Sequence, residues 1–392
     1  RLYLAEHTRA AAATLFNHAE TEKQEIRAYE PQFLALRQRG LIGEENRLAW
    51  ETYPATALSK TYNTDSQTPD SAGTMSAIAT GVKTRAGVLS IAQSAARKDC
   101  AAALAAPALT LWELASNSGM ATGVVTTARV THATPGATFT HSPERNWEND
   151  SDLPAQAVRE GCIDIARQLV ETPFGRGFDV LMGGGRKNFM PVTQRDPEED
   201  DKVGERLDGR DLIADWKQRH AGGVYVWNKA QLDAAPLDKP LLALFQPDHM
   251  QFEYERPKDA VGEPSLAEMT RAAIARLSRS GNGYVLLVEG GRIDHANHYG
   301  NAYRALSDTV AMSDAVRAAS EATSADDTLI IVTADHSHVL NFVGYPKRGN
   351  PILGKVRGGS GEDDDGGLVN DGLGLPYTTL SYANGPGYTG TS

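Results

Sequence analysis

Pro69-Asp70-Ser71-Ala72-Gly73-Thr74-Met75-Ser76-Ala77-Ile78-Ala79-Thr80-Gly81-Val82-Lys83-Thr84 is the stretch whose reading decides the fold. A serine follows an aspartate, and a run of small residues able to form one helix follows the serine, with Gly81 as a C-terminal stop. The Ser71 hydroxyl is thereby placed at a helix N-terminus, where unpaired backbone N–H groups and the helix dipole favour a bound anion. Two readings stay open on this stretch alone: Ser71 as an ordinary N-cap, or Ser71 as a reactive group whose partners lie far downstream.

Outward from that helix, apolar runs alternate with helix-period segments. Candidate strands are Thr122–Thr127, Phe178–Met182, Val224–Trp227, Leu241–Phe245, Tyr284–Val288 and Thr328–Thr333, with a short one at Ala55–Tyr62 leading into the Ser71 helix. Leu266, Met269, Ala273 and Leu277 recur at helical spacing, as do Tyr303, Leu306 and Val310. Continuous apolar strands separated by helices predict a mostly parallel sheet covered on both faces, a three-layer α/β/α sandwich. Several runs end in polar or glycine-rich residues: Thr126-Thr127, Gly183-Gly184-Gly185, Glu289-Gly290-Gly291 and Thr333-Ala334-Asp335-His336. In open α/β sheets ligands sit beyond the carboxyl ends of the strands, so one site collecting these ends is expected.

The totals bound the function. The 392 residues carry a net charge of -11, which argues against nucleic acid as a partner. A small phosphorylated substrate is compatible with that charge, because bound metal ions reverse the local field. No apolar run reaches the length of a membrane span. The chain begins at Arg1 without a visible signal peptide, so a leader was removed or never included. Cys100 and Cys162 are the two cysteines, readable as free thiols or as a bridge. Asp196 to Glu205 is acidic and Gly358 to Gly367 is Gly/Ser/Asp-rich; both read as solvated surface loops, although converging acidic oxygens can also bind calcium. Residues 1–40 form a helix-prone, charged segment, set apart from an α/β domain over 41–392.

The chemistry is carried by two clusters. Glu289, Asp294 and His298 stand at the end of one apolar run, and Asp335-His336 at the end of another. Carboxylates with imidazoles are the ligand set of zinc, and of magnesium where oxygens dominate. Hydrogen-bonded rim residues without a metal are the alternative.

These residues resemble the alkaline phosphatases, from about Gly43 to Tyr388. The resemblance rests on Pro69-Asp70-Ser71, Thr80-Gly81-Val82-Lys83, Val130-Thr131-His132-Ala133-Thr134-Pro135, Gly183-Gly184-Gly185-Arg186-Lys187, Val288-Glu289-Gly290-Gly291-Arg292-Ile293-Asp294-His295 and Val332-Thr333-Ala334-Asp335-His336-Ser337-His338, in the family's order and spacing. It implies phosphate monoester hydrolysis through a phosphoserine on Ser71, with Arg145 gripping the phosphate, two Zn2+ and one Mg2+. Asp294 and His298 would hold one zinc, Asp335 and His336 the other, and Thr134 and Glu289 the magnesium. His132 and His295 would tune the magnesium neighbourhood and the outer phosphate contacts, and His338 would orient a zinc ligand. The resemblance also implies a Cys100–Cys162 disulfide, hence a periplasmic or extracellular compartment, and a homodimer. Gln246 stands where the family carries a calcium-site glutamate, which argues against Ca2+.

Two family features are not matched. No aspartate precedes Asp65, so the early Gly-Asp-Gly strand whose aspartate bridges zinc and magnesium has no counterpart, and His338 is the last histidine. The sequence therefore predicts a chain incomplete at its C-terminus, with weakened metal binding and reduced activity. A phosphodiesterase- or sulfatase-like metallohydrolase and an inert phosphate- or metal-binding relative are the competing readings.

Overall fold

The computed structural model describes residues 47–171, 174–346, 350, 352–358 and 367–383. Its framework is a five-stranded parallel sheet in the order β3-β4-β2-β1-β5, formed by β1 (Ala121–Arg129), β2 (Val180–Gly184), β3 (Val224–Val226), β4 (Leu241–Leu244) and β5 (Tyr284–Glu289). A two-stranded antiparallel ribbon, β6 (Leu340–Phe342) with β7 (Leu380–Tyr382), stands apart. The helices used below are α1 (Ser71–Thr80), α2 (Leu111–Asn117), α3 (Ile165–Glu171), α4 (Leu212–Arg219), α5 (Lys229–Ala234), α6 (Leu266–Leu277), α7 (Arg292–His298) and α8 (Ala302–Ala322).

Strand periodicity splits the apolar residues into two cores. Val124, Leu181, Leu242 and Leu244 point to one face, where Met75 of α1, Trp112 of α2, Leu169 of α3 and Trp216 of α4 cover them. Val125, Val180, Met182, Leu241 and Ala243 point to the other, against Leu232 of α5, Met269, Ala273 and Leu277 of α6 and Ala315 of α8. This is the expected three-layer α/β/α arrangement. Gly123 at mid-strand permits the close approach of α6, since a Cβ there would lie 2.7 Å from Leu277 Cδ1. The expected helices over Leu266–Leu277 and around Tyr303–Val310 are both present.

Four expectations are corrected. Thr328–Thr333 is extended but joins no ladder among the described residues, and Leu329 and Ile331 are 84% and 75% exposed. β propensity makes a strand only where a neighbour supplies hydrogen bonds, and β5 pairs with β1 alone among the described residues. Ala55–Tyr62 likewise forms no strand. Ser71 is not the cap of its helix: Asp70 is, its carboxylate accepting from the Ala72 N–H, while Gly81 closes the helix at φ 74° as expected. The acidic Asp196–Glu205 stretch is not simply solvated, because Asp196 and Glu198 are drawn inward onto the wholly buried Arg186 guanidinium. The 1–40 segment, and most of Gly358–Gly367, lie outside the described residues.

Cys100 and Cys162 are disulfide-bonded, 62 residues apart, within a small cluster containing Trp147 and Ala157. A second covering contact is ionic. Arg206, wholly buried, donates to both oxygens of buried Asp164 at 2.9 and 3.1 Å and to Asp208 at 2.6 Å. Arg206→Met should lower stability by about 3–5 kcal/mol, because the Asp164 charge stays buried without a partner; urea denaturation followed by tryptophan fluorescence measures it.

His141 and Glu113 provide a pH-dependent clamp between α2 and the loop after β1. His141 Nδ1 lies 2.7 Å from the Ser90 carbonyl and Nε2 3.1 Å from Glu113 Oε1, so both nitrogens face acceptors and the ring favours its protonated form. Burial alone would lower the His141 pKa, but Glu113 outweighs it and the pKa is raised. Burial raises that of Glu113, yet His141 and the Thr110 N–H hold it below the usual range. The histidine contribution is full below its unfolded pKa and is lost as pH rises through the raised folded value; the carboxylate contribution is lost as pH falls through its lowered value. Glu113→Gln should therefore lower the melting temperature most near neutrality and least at both extremes, in a series of thermal melts from pH 4 to pH 9.

Candidate active site

The site gathers at the carboxyl ends of β1 and β5 and the N-terminus of α1. Asp70 organises it. Its Oδ2 accepts from the Ala72 and Gly87 N–H groups at 3.1 and 2.7 Å, and its Oδ1 accepts from Arg145 Nη1 at 2.7 Å. Burial would raise the Asp70 pKa, but Arg145 and the Gly87 and Gly73 amides hold it below the usual carboxylate range. The Asp70 N–H donates to Asn63 Oδ1 at 2.8 Å. Asn63 can reach there because residue 73 is glycine: a Cβ at Gly73 would meet Asn63 Nδ2 at 1.8 Å.

Ser71, the first residue of α1, has its Oγ 2.9 Å from His336 Nε2. Thr74, one turn along, donates to Asp335 Oδ2 at 2.9 Å, so α1 carries contacts to both members of the Asp335-His336 pair. Arg145 Nη2 donates to His132 Nε2 at 3.1 Å, which leaves the guanidinium fixed on two sides beside Ser71. Its own N–H donates to the Gly87 carbonyl at 2.9 Å, locking the Arg145 loop to the loop that also feeds Asp70.

Glu289 ends β5 and accepts from Thr126 Oγ1 of β1, with Thr134 as a second hydrogen-bonding neighbour. Its pKa is pushed up to about 7, first by burial and then by the charges of Asp335 and Asp294, against those two hydrogen bonds. Three carboxylates thus crowd one pocket. In α7, Asp294 and His298 share a helix face, with His298 Nε2 3.4 Å from Asp294 Oδ2. His338 joins them from after the Asp335-His336 segment, its Nε2 3.7 Å from Asp294 Oδ1, and the two imidazole rings stand perpendicular at 4.6 Å. One ligand atom from each of Asp294, His298 and His338 lies within 4.8 Å of the others, and Asp294 Oδ1 is buried with no hydrogen-bond donor.

The structure thus brings together Ser71, Arg145, Thr134, Glu289, Asp294, His298, Asp335, His336, His132, His295 and His338 around neighbouring contacts. His338 offers a ring nitrogen within 4.8 Å of the ligand atoms of Asp294 and His298. Gln246 is buried and donates from Nε2 to Glu198 Oε1 at 3.2 Å. One residue beside the site was missed from the sequence. His249 meets His132 edge-on and His295 at a tilt, with ring centroids 5.1 and 4.1 Å away. It sits in Pro247-Asp248-His249, a stretch with no metal-ligand spacing, and is brought in because Gly184 leaves room for Asp248: a Cβ at Gly184 would lie 2.1 Å from the Asp248 carbonyl oxygen. Burial lowers the pKa of all three imidazoles, that of His295 to about 2, so the rings are neutral near pH 7.

The family model for alkaline phosphatase matches residues 24–392. The chain belongs to the alkaline phosphatase family. It is 44% identical over 355 residues to the tissue-nonspecific alkaline phosphatase isozyme of Felis catus, covering 88% of this chain and 65% of that protein. Against the isozyme of Homo sapiens the identity is 43%, with the same coverage. The chain therefore spans slightly under two thirds of the length of these relatives. The crystal structure of Thermus thermophilus alkaline phosphatase superposes with a TM-score of 0.55 at 33% identity, covering 72% of this chain and 50% of that one. The alkaline phosphatase of the Antarctic bacterium TAB5 shares the fold, with a TM-score of 0.59 at 22% identity, covering 77% of this chain and 75% of that one.

Within this member of the alkaline phosphatase family, Asp70 both caps α1 and neutralises Arg145. Asp70→Ala should cost at least about 1 kcal/mol through the lost cap alone. Asp70→Asn, which can still accept from the Ala72 amide, should retain part of that while freeing the guanidinium; comparing the two by chemical denaturation separates the roles.

Proposed function

We propose that this chain hydrolyses phosphate monoesters, with Ser71 as the nucleophile and Arg145 as the phosphate-gripping group. The observation that carries this reading is the Asp70 carboxylate. It caps the helix that begins at Ser71 and holds the Arg145 fork, so a half-buried hydroxyl, a helix N-terminus and a guanidinium are tied to one point. Such a set matches a tetrahedral dianion. Two arginine N–H groups suit two non-bridging oxygens, and the first-turn amides of α1 add to the field. Ser71 Oγ then attacks phosphorus as the bond to the departing alcohol breaks. Water attacks the phosphoserine, the P–Oγ bond breaks, and inorganic phosphate leaves with Ser71 regenerated.

The residues present fit part of the family's metal cage, the bridging aspartate being unmatched because no aspartate precedes Asp65. The undonated, buried Asp294 Oδ1 and the convergence of Asp294, His298 and His338 suit zinc. Asp335 and His336 supply two donors beside the Ser71 hydroxyl for a second. Glu289 and Thr134 offer oxygen donors for magnesium. When bound, such ions supply charge neutralisation and lower the pKa of a coordinated hydroxyl or water. Without a cation, Glu289, Asp294 and Asp335 repel one another, which is the physical reason this pocket calls for one. The donor set gives no support for calcium at Gln246, whose amide nitrogen points at Glu198.

We also infer an oxidising compartment, periplasmic or extracellular, from the Cys100–Cys162 bridge, and a homodimer from the family resemblance. No helix among the described residues is long and apolar enough to cross a membrane. Light scattering on the purified chain should give twice the monomer mass.

The test is a rapid acid quench of the zinc- and magnesium-supplemented chain with radiolabelled phosphate ester. Label should appear on the peptide containing Ser71, and Ser71→Ala should lose it together with at least about a thousandfold in kcat. Parallel assays with a phosphodiester and a sulfate ester should show monoester preference. Full turnover by Ser71→Ala, or preference for either other ester, would overturn the assignment, and phosphate binding with no turnover in the unaltered chain would establish an inert relative.

A further inference from the structure

A second nitrogen cluster stands beside the site, made by residues from three separate elements. His132 follows β1, His249 follows β4 and His295 lies on α7. Each offers one ring nitrogen, and the three atoms lie within 4.8 Å of one another. The ring centroids are 4.1 to 5.3 Å apart. A tetrahedral ion with bonds near 2.0–2.1 Å places its ligand nitrogens about 3.4 Å apart, a closure within reach of side-chain rotation in partly exposed rings. No carboxylate oxygen belongs to the cluster, which separates it from the Asp294 and Asp335 groups.

The present partners show a lone pair on His132 Nε2 and on His295 Nδ1, while His249 is faced by a donor at each ring nitrogen. Arg145 Nη2 lies 3.1 Å from His132 Nε2, Arg129 Nη1 2.7 Å from His249 Nε2, and Arg292 Nη1 3.0 Å from His295 Nδ1. A guanidinium has only N–H donors, so His132 and His295 each accept from a cation, and the single lone pair of neutral His249 serves either the Arg129 backbone N–H at Nδ1, 3.0 Å away, or the guanidinium at Nε2. These arginines have other anchors. Arg129 is doubly bonded to Glu148 and paired with Asp248, Arg145 is held by Asp70, and Arg292 stacks on Phe252 at 3.7 Å. The carboxylates offset the local positive charge, and the guanidinium groups can release the ring nitrogens while keeping those anchors.

We propose that His132, His249 and His295 form a binding site for one divalent transition-metal ion of the Ni2+, Cu2+ or Zn2+ class, which displaces the three arginine contacts. Imidazole suits these ions and leaves open positions for solvent or an anion. An ion there takes from Arg145 its His132 acceptor and leaves the guanidinium on Asp70 alone. Occupancy of the tri-histidine site and the grip of Arg145 are therefore coupled. The inference goes beyond the proposed hydrolysis and does not depend on it.

The experiment uses the full chain and Cu2+ or Ni2+ alone. In the Asp294→Asn/His298→Ala double variant, which weakens the neighbouring group, electron paramagnetic resonance of one equivalent of Cu2+ should show hyperfine coupling to three nitrogens. Elemental analysis after dialysis against Ni2+ should give one equivalent fewer in His249→Ala than in the unaltered chain, and calorimetry should show loss of one binding event. Near-ultraviolet circular dichroism checks each fold, and His295→Ala serves if His249→Ala does not fold. The resonance measurement keeps all three histidines and reads the site in either case. Equal Ni2+ content in the folded variants, or a Cu2+ spectrum lacking three-nitrogen coupling, would overturn the site. Unchanged metal content with weakened inorganic phosphate binding in His249→Ala would also overturn it, in favour of an anion subsite.

Discussion

The structure depends on one carboxylate placed between a helix and a guanidinium. Asp70 accepts from two backbone amides with one oxygen and from Arg145 with the other, so the start of α1 and the Arg145 loop cannot shift independently. Ser71 inherits its position from that constraint, and Thr74, one turn on, carries it to Asp335. Charge-assisted hydrogen bonds of this kind are short and directional, and losing one partner leaves the other half-buried without it. The apolar layers supply the stiffness behind it. Met75 and Ala79 of α1 are buried in the same core as Val124 of β1, which sets the helix against the sheet ends.

Around this anchor the pocket is electrostatically unfinished. Glu289, Asp294 and Asp335 are near enough to disfavour one another's charge, and Asp294 keeps a buried oxygen without a donor. A few ångströms away, three imidazoles are faced by guanidinium groups. The two groups adjoin on α7, where Asp294 belongs to the first and His295 to the second. Phosphoryl transfer asks for such a division, since cations must meet the reacting oxygens while a fixed fork meets the others.

Much of this was legible in the sequence because it follows from local rules. Five of the apolar runs became strands, since each is continuous, short and bounded by polar or glycine residues, and their alternation with helices dictated parallel pairing. Ser71, Glu289 and Asp294 were found because each ends a strand or stands in the first turn of a helix, and His336 because it follows an apolar run, although that run is unpaired among the described residues. Thr328–Thr333 has the composition of a strand but lacks a described partner, and pairing is not a property of composition. The cap was misassigned by one residue because Ser and Asp are nearly equal as N-caps, and only the Arg145 contact and the Gly87 amide favour Asp70. His249 was invisible because its approach depends on a glycine in another strand. Asp196 and Glu198 looked solvated because Arg186, their partner, lies within a different motif.

The central claim, that Asp70 sets Ser71 and Arg145 around one phosphate, is tested most directly by a crystal structure with vanadate and zinc. The anion is predicted to lie between Ser71 Oγ and both terminal nitrogens of Arg145, with Asp70 still bonded to the guanidinium and the Ala72 amide. Anomalous zinc peaks should stand beside Asp294 and His298 and beside Asp335 and His336. Vanadate bound away from Ser71, or Arg145 turned off Asp70 to reach it, would contradict the account.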